Sequence, residues 1–174
     1  MNGLFRKSVC GAAVLTAVLA RAAETPEGAA LPILNVLFST IQYSMVLAKV
    51  SSDHRRVISS WIRFSQDHRA ALLKGAFRPH HPELGYTWVE GESADERVIA
   101  VYADDVCARA GAADRPVFLV NATGKAGVLA ELAAKPAKVE YFDVFCEKTG
   151  EAAPSAGLVR LAVPASGYAK IAWR

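Results

Sequence analysis

From Tyr86 onward the chain is divided into short apolar runs, each bounded by Gly, Pro or Asp. This spacing constrains the fold more than any motif. The runs are "YTWVEGE", "ERVIAVYAD", "RPVFLVNAT", "AGVLAEL", "KVEYFDVFCEKTGE" and "GLVRLAVPASGYAKIAWR". Strands rich in Val, Ile and aromatics, recurring every ~8–12 residues between turn residues, predict an antiparallel sandwich or barrel. The Ala/Leu content of "AGVLAEL" leaves helix open for that run. Thr149-Gly150 reads as a turn, and Pro164 to Gly167 separates the last two strands.

Upstream the period changes. In "SSDHRRVISSWIRFSQDHRAALLKG", Val57, Ile58, Trp61, Ile62, Phe64, Leu72 and Leu73 recur mostly at helical spacing, with charged residues on the other side. Ser51 or Ser52 can cap this helix, Asp53 suits its first turn, and Gly75 is placed to stop it. Before it, Leu31–Val50 is apolar on almost every side and must be buried against a larger core. Asn35, Ser39, Thr40, Gln42 and Ser44 break that segment as a membrane span, so membrane association is not expected after signal removal. A single-span protein using Leu31–Ala48 stays as one alternative.

The first residues have the layout of a secretory signal. Arg6 and Lys7 form a basic start, Val9 to Ala20 is uncharged and mostly apolar, and Ala20-Arg21-Ala22 offers an A-x-A cleavage site. The expected organisation is therefore a signal peptide over 1–22, a linker and apolar segment over 23–50, an amphipathic helix over 51–75 and a β-sandwich over 76–174. The expected location is secreted or periplasmic. Signal removal takes Cys10 and leaves Cys107 and Cys146, which fit equally well one disulfide or two buried thiols. The formal charge is +3, with both signs interspersed and no Lys/Arg block, so nucleic acid is not an expected partner.

"FRPHHPELGYTW" gathers the residues that most resemble a site: His80, His81, Glu83, Tyr86 and Trp88. Neighbouring His side chains in an extended segment point opposite ways, so the pair alone does not make a metal site. No metal or cofactor is expected. Tyr86, Trp88 and Trp173 are the candidate sugar-stacking aromatics, although Trp88, on an alternating strand, also suits the core. They are the basis of a second alternative, a small exported carbohydrate-binding sandwich. Glu90/Glu92, Asp95-Glu96 and Asp104-Asp105 read as solvated turn and edge residues. Asn121-Ala122-Thr123 is a bare glycosylation tripeptide.

Taken together, Trp61, Phe64, His68, Arg69, Leu72, Leu73 and Gly75 form "W-x-x-F…HR…LL-x-G". Phe77 and Pro79 form "F-x-P", and Asp95, Glu96, Arg97, Ala100 and Tyr102 form "D-E-R-x-x-A-x-Y". Val163, Pro164, Ser166 and Gly167 form "V-P-x-S-G". This set, spread over Leu31 to Ile171, resembles the C-terminal end of family 36 glycoside hydrolases, the α-galactosidase type. The resemblance implies a final barrel helix docked on a sandwich that does no chemistry. It also implies that Leu31–Val50 is a remnant of the last barrel strand and helix, and that the catalytic barrel is the natural partner. The family's catalytic aspartates, in K-W-D-like and R-x-D-like contexts, have no counterpart here. No catalytic residue is assigned, and the chain is expected to be inactive alone and to look like a truncated gene. A barrel remnant without its barrel would leave an apolar patch wet.

Overall fold

The computed structural model describes residues 25–42, 49–111 and 115–173. The signal-like segment lies outside them, as does the end of the alternative membrane span, from position 43 on. The described chain is mainly β, a sandwich with helices packed on one outer face.

Two helices come first. α1 (Pro26–Leu34) is capped by the Thr25 hydroxyl, which accepts from the Gly28 N–H. α2 (Ser52–Asp67) is capped by Ser51, whose hydroxyl accepts from the His54 N–H at 3.3 Å. A π-helical turn (Ala70–Lys74) extends α2 as far as Gly75, close to the expected helix end. Among the described residues no helix is long and apolar enough to cross a membrane.

Among the described residues ten strands follow: β1 (Ala76–His80), β2 (Trp88–Glu92), β3 (Arg97–Val101), β4 (Cys107–Arg109), β5 (Val117–Asn121), β6 (Val128–Leu132), β7 (Lys138–Phe142), β8 (Lys148–Ala152), β9 (Gly157–Leu161) and β10 (Tyr168–Ala172). The large sheet has the order β1-β2-β3-β5-β10-β7-β8, and the small one β4-β6-β9. Antiparallel pairing dominates, as expected, but β3–β5 and β4–β6 are parallel. The cause is a pair of interlocked crossovers. The chain leaves the large sheet after β3 to make β4 and returns as β5, so β5 runs in the direction of β3.

Strand periodicity divides the core in two. Val98, Ala100, Phe118, Val120 and Tyr168 face the helices, where they meet Ala30, Leu34, Leu37, Val57, Trp61 and Phe64. Ile99, Val101, Val117, Leu119, Val139 and Ile171 face the small sheet and meet Ala108, Val128, Ala130 and Leu161. β3 is thus buried on both faces from Val98 to Val101, which is why "VIAV" is apolar throughout.

Three expectations change. The described part of Leu31–Val50 shows no wet patch, because Ile33, Leu34 and Leu37 are buried in this domain's own core beside α2. Thr149-Gly150 lies inside β8. The turn sits earlier, after Asp143, whose carboxylate accepts from the N–H groups of Phe145 and Glu147 at 2.9 Å, while Cys146 takes a left-handed φ of 59°. Finally, "AFRPH", not among the runs expected as strands, is an edge strand paired with β2. Pro79 is tolerated there because an edge strand need not donate on its outer side.

Candidate functional site

Several of the motif residues meet at the joint between the helices and the sandwich, whereas Arg69, Leu73, Phe77 and Asp95 are exposed. Trp61, on the buried face of α2, donates its indole N–H to the Val144 carbonyl at 3.0 Å. One helical turn further, Phe64 lies 5.0 Å from the Tyr168 ring. Next on the same face comes His68. Its Nδ1 meets Glu96 Oε2 at 2.7 Å, and its ring packs on Phe64 and Phe118. A carboxylate can only accept, so Nδ1 carries the proton. The "HR" and "DER" motifs are therefore in contact, through His68 and Glu96.

The backbone of the joint is equally tight. A Cβ on Gly75 would run into the Glu92 carbonyl, and one on Gly91 into the Ala71 carbonyl. Both glycines serve close approach of the π turn to β2. Tyr102 donates its hydroxyl to the Leu34 carbonyl at 3.0 Å, and burial pushes its phenol well above the ordinary value. The Ser166 hydroxyl, from the "V-P-x-S-G" turn, donates to the Glu27 carbonyl at 3.2 Å. A Cβ on Gly167 would strike the Phe142 carbonyl.

The candidate site residues of the loop are dispersed. His80 stacks on Trp88, with ring centroids 3.5 Å apart and planes at 4°. His81 is exposed, with a left-handed φ of 56°. Glu83 is exposed in a short 3-10 turn (Pro82–Leu84). Tyr86 is half-buried at φ 60°. Trp88 is only 4% exposed and belongs to the layer between the sheets. Trp173 packs against that layer and donates its indole N–H to the Ala134 carbonyl. Tyr86, Trp88 and Trp173 thus make no exposed stacking platform, because the strand turns Trp88 inward. Among the described residues no group of three His, Cys, Asp or Glu side chains is set to hold a metal ion.

Cys107 and Cys146 are both free thiols. They belong to different parts of the sandwich, Cys107 on β4 of the small sheet and Cys146 against the helix-side core. Burial, reinforced by Asp143, pushes the Cys146 thiol up to about 12. The Asn121 sequon is also closed: the side chain is fully buried and its amide donates to the carbonyls of Lys125, Val163 and Pro164.

One cluster escaped the sequence reading. Glu90 is 4% exposed on β2. Its carboxylate accepts from Arg97 Nε at 2.7 Å and from Arg97 Nη2. On its other side it meets Arg78 and His80, each at 3.3 Å. Burial raises this carboxyl, but Arg97 first, with His80 and Arg78, outweighs burial and holds it below the ordinary value. Arg97 also donates to the carbonyls of Arg109 and Ala110, so the cluster ties the large sheet to the end of β4. The signal was available. Glu90 lies two residues from Trp88, so an inward Trp88 places Glu90 inward too.

No family model matches this chain, and no curated protein or solved structure is found to be similar to it.

Proposed function

We propose that this chain is the non-catalytic C-terminal β-sandwich region of an exported α-galactosidase-like glycoside hydrolase, with the catalytic barrel as its partner. The observation that carries this reading is the use of the motif residues. Trp61, His68, Gly75, Glu96, Tyr102 and Ser166 all spend their side chains or close backbone contacts inside the helix–sandwich joint. Residues so used fix a geometry and take no part in bond breaking. In this role α2 is a rigid bracket, held through its length by the sandwich.

Glycoside hydrolysis needs two carboxylates facing a scissile bond across about 5–10 Å. Glu90 and Glu96, the most buried of the acidic-pair carboxylates, are both engaged with internal cations or imidazole. The test has two arms. The purified chain is incubated with an aryl α-galactoside, and no release of the aryl group is expected. In the second arm, residues 25–173 replace the equivalent C-terminal region of a family 36 enzyme, and a soluble, active chimaera is expected. Galactoside hydrolysis by the chain alone, lost on changing one of its Asp residues, sinks the reading. So does a chimaera that is insoluble while the parent is soluble.

A further inference from the structure

Among the described residues the two sheets end in four edge strands, β1, β8, β4 and β9. Proline, charge, bulges and shortness are the devices that keep an edge from recruiting another strand. β1 carries Pro79 and Arg78. β8 carries Lys148 and Glu151, and a bulge interrupts its pairing with β7. β4 is only three residues long. β9 is the exception. It is five residues long, pairs with β6 without a break in register and holds no proline. Its single charge is Arg160. Leu158, also on β9, is 66% exposed, the most of any large apolar side chain described.

The outer face of the small sheet shows what this edge can accept. Ala108, Val128, Ala130, Leu132 and Leu161 point into the core. Strand alternation therefore sends Arg109, Glu131, Leu158 and Arg160 outward. The register sets Arg109 opposite Glu131 and Glu131 opposite Leu158. Arg109 and Glu131 are ion-paired at 3.2 Å. The row thus reads cation, anion, leucine, and stops at the open edge of β9.

A second β9 continues that row. Set antiparallel and centred on Val159, it brings its Arg160 opposite Leu158, and its Leu158 opposite Arg160. No charge meets a like charge. The arginine stem covers the exposed leucine, and the guanidinium reaches toward Glu131 from the side opposite Arg109. On the inner side Val159, partly buried against the core, meets Val159 of the second copy. The same operation on β1, centred on Arg78, would set arginine against arginine, which is unfavourable. The sequence of β9 is therefore complementary to itself where that of β1 is not.

We propose that β9 is a self-association edge, through which two copies of this chain pair antiparallel and join their small sheets into one of six strands. The proposal does not rest on the barrel-docking role, because the helices and the small sheet cover opposite faces of the large sheet. Two paired five-residue strands bury less than the ~1,200 Å² at the low end of standard interfaces, so the dimer is a weak one, with a dissociation constant on the order of 0.1 mM.

Sedimentation equilibrium of the full chain, from well below that constant to well above it, tests the proposal. A monomer–dimer equilibrium is expected. Leu158→Lys sets lysine against Arg160 at both symmetric contacts and should weaken the dimer at least about tenfold. Leu158 is exposed, so this variant should keep its fold, which thermal unfolding checks. The double variant Leu158→Lys/Arg160→Glu sets opposite charges face to face and should restore the dimer. Val159→Cys in the otherwise unchanged chain should form a disulfide between copies under mild oxidation, read by peptide mass spectrometry, because the two-fold axis places both residues at one pair position. The proposal is overturned if the chain stays monomeric throughout, if folded Leu158→Lys associates as the parent does, or if the double variant associates no better than the single one. Should Leu158→Lys fail to fold, the Val159→Cys link decides, and its absence overturns the proposal.

Discussion

The indole of Trp61 donates to the backbone carbonyl of Val144, 83 residues further along the chain. The bond joins α2 to the turn after β7, and Trp61 itself is fully buried between Phe64 and Tyr168. Two losses can be separated here. Trp61→Phe removes the hydrogen bond and leaves an unpaired carbonyl, at about 1–3 kcal/mol. Trp61→Ala adds a cavity, for about 3–5 kcal/mol in all. Urea unfolding should rank parent, Phe and Ala in that order. Equal midpoints for Phe and parent would mean that the bond contributes nothing.

Glu90 makes the fold acid-sensitive. Its carboxyl lies below the ordinary 4.5, so its stabilising contribution is fully present above that value. It is lost as pH falls through the lower, folded value. Glu140, on β7, is held at about 2 by Lys148 and then Lys138, but those lysines are half exposed and screened by salt. Lowering the pH from 4.5 should therefore destabilise the parent in both low and high salt. Glu90→Gln, which breaks a buried pair, should cost about 3 kcal/mol at neutral pH and flatten the part of the acid limb that survives in high salt. A variant with the parent's acid limb in high salt would refute the assignment.

Gly91 has no room for a methyl group, since a Cβ there would run into the Ala71 carbonyl and the Phe38 ring. Gly91→Ala should destabilise by about 1–3 kcal/mol through overpacking. Gly124, with nothing near it, is the control, and Gly124→Ala should stay within about 0.5 kcal/mol. Thermal midpoints of the two variants make the comparison.

Removing residues 1–42 should make the remainder less soluble. Ala30, Ile33, Leu34 and Leu37 fill the core over Val98 and Val120. Uncovering hundreds of Å² at ~25 cal/mol per Å² costs several kcal/mol of a typical ~5–15. Light scattering on both forms gives the answer. A shortened chain that stays monomeric while the full one aggregates would mean that α1 does not belong to this core.

Cys146 should resist alkylation. With its thiol pushed up to about 12, almost no thiolate exists at pH 8. Burial also raises Cys107, helped by Glu131, though it is the less enclosed of the two. Differential labelling with iodoacetamide, read by mass spectrometry, should modify Cys107 before Cys146 and both only slowly until urea is added. Rapid native labelling of Cys146 would contradict the packing described for it.

The regular parts of this fold were legible because each residue obeys its local period. The Ser51 cap, the inward Trp61 and Phe64, the two-sided burial of "VIAV" and the Pro164–Gly167 turn are local features, and all are present. What was not legible depends on partners distant in sequence. β1 is a strand only because β2 pairs with it, and its Pro argued against it in isolation. β4 is three residues long and carries no pattern. Glu90 looked solvated because Arg97 and Arg78 come from two other strands.

The position of β10 between β5 and β7 has a kinetic consequence. β10 is the wedge that joins the two halves of the large sheet, and it comes far later in the chain than β5. Until it docks, β5 and β7 each present an open edge, and the layer of Leu119, Val139 and Ile171 is incomplete. Pairings between strands so distant in sequence form slowly, and exposed edges recruit other chains meanwhile. The refolding yield of this protein should therefore depend on concentration, set by a race between β10 insertion and intermolecular edge pairing.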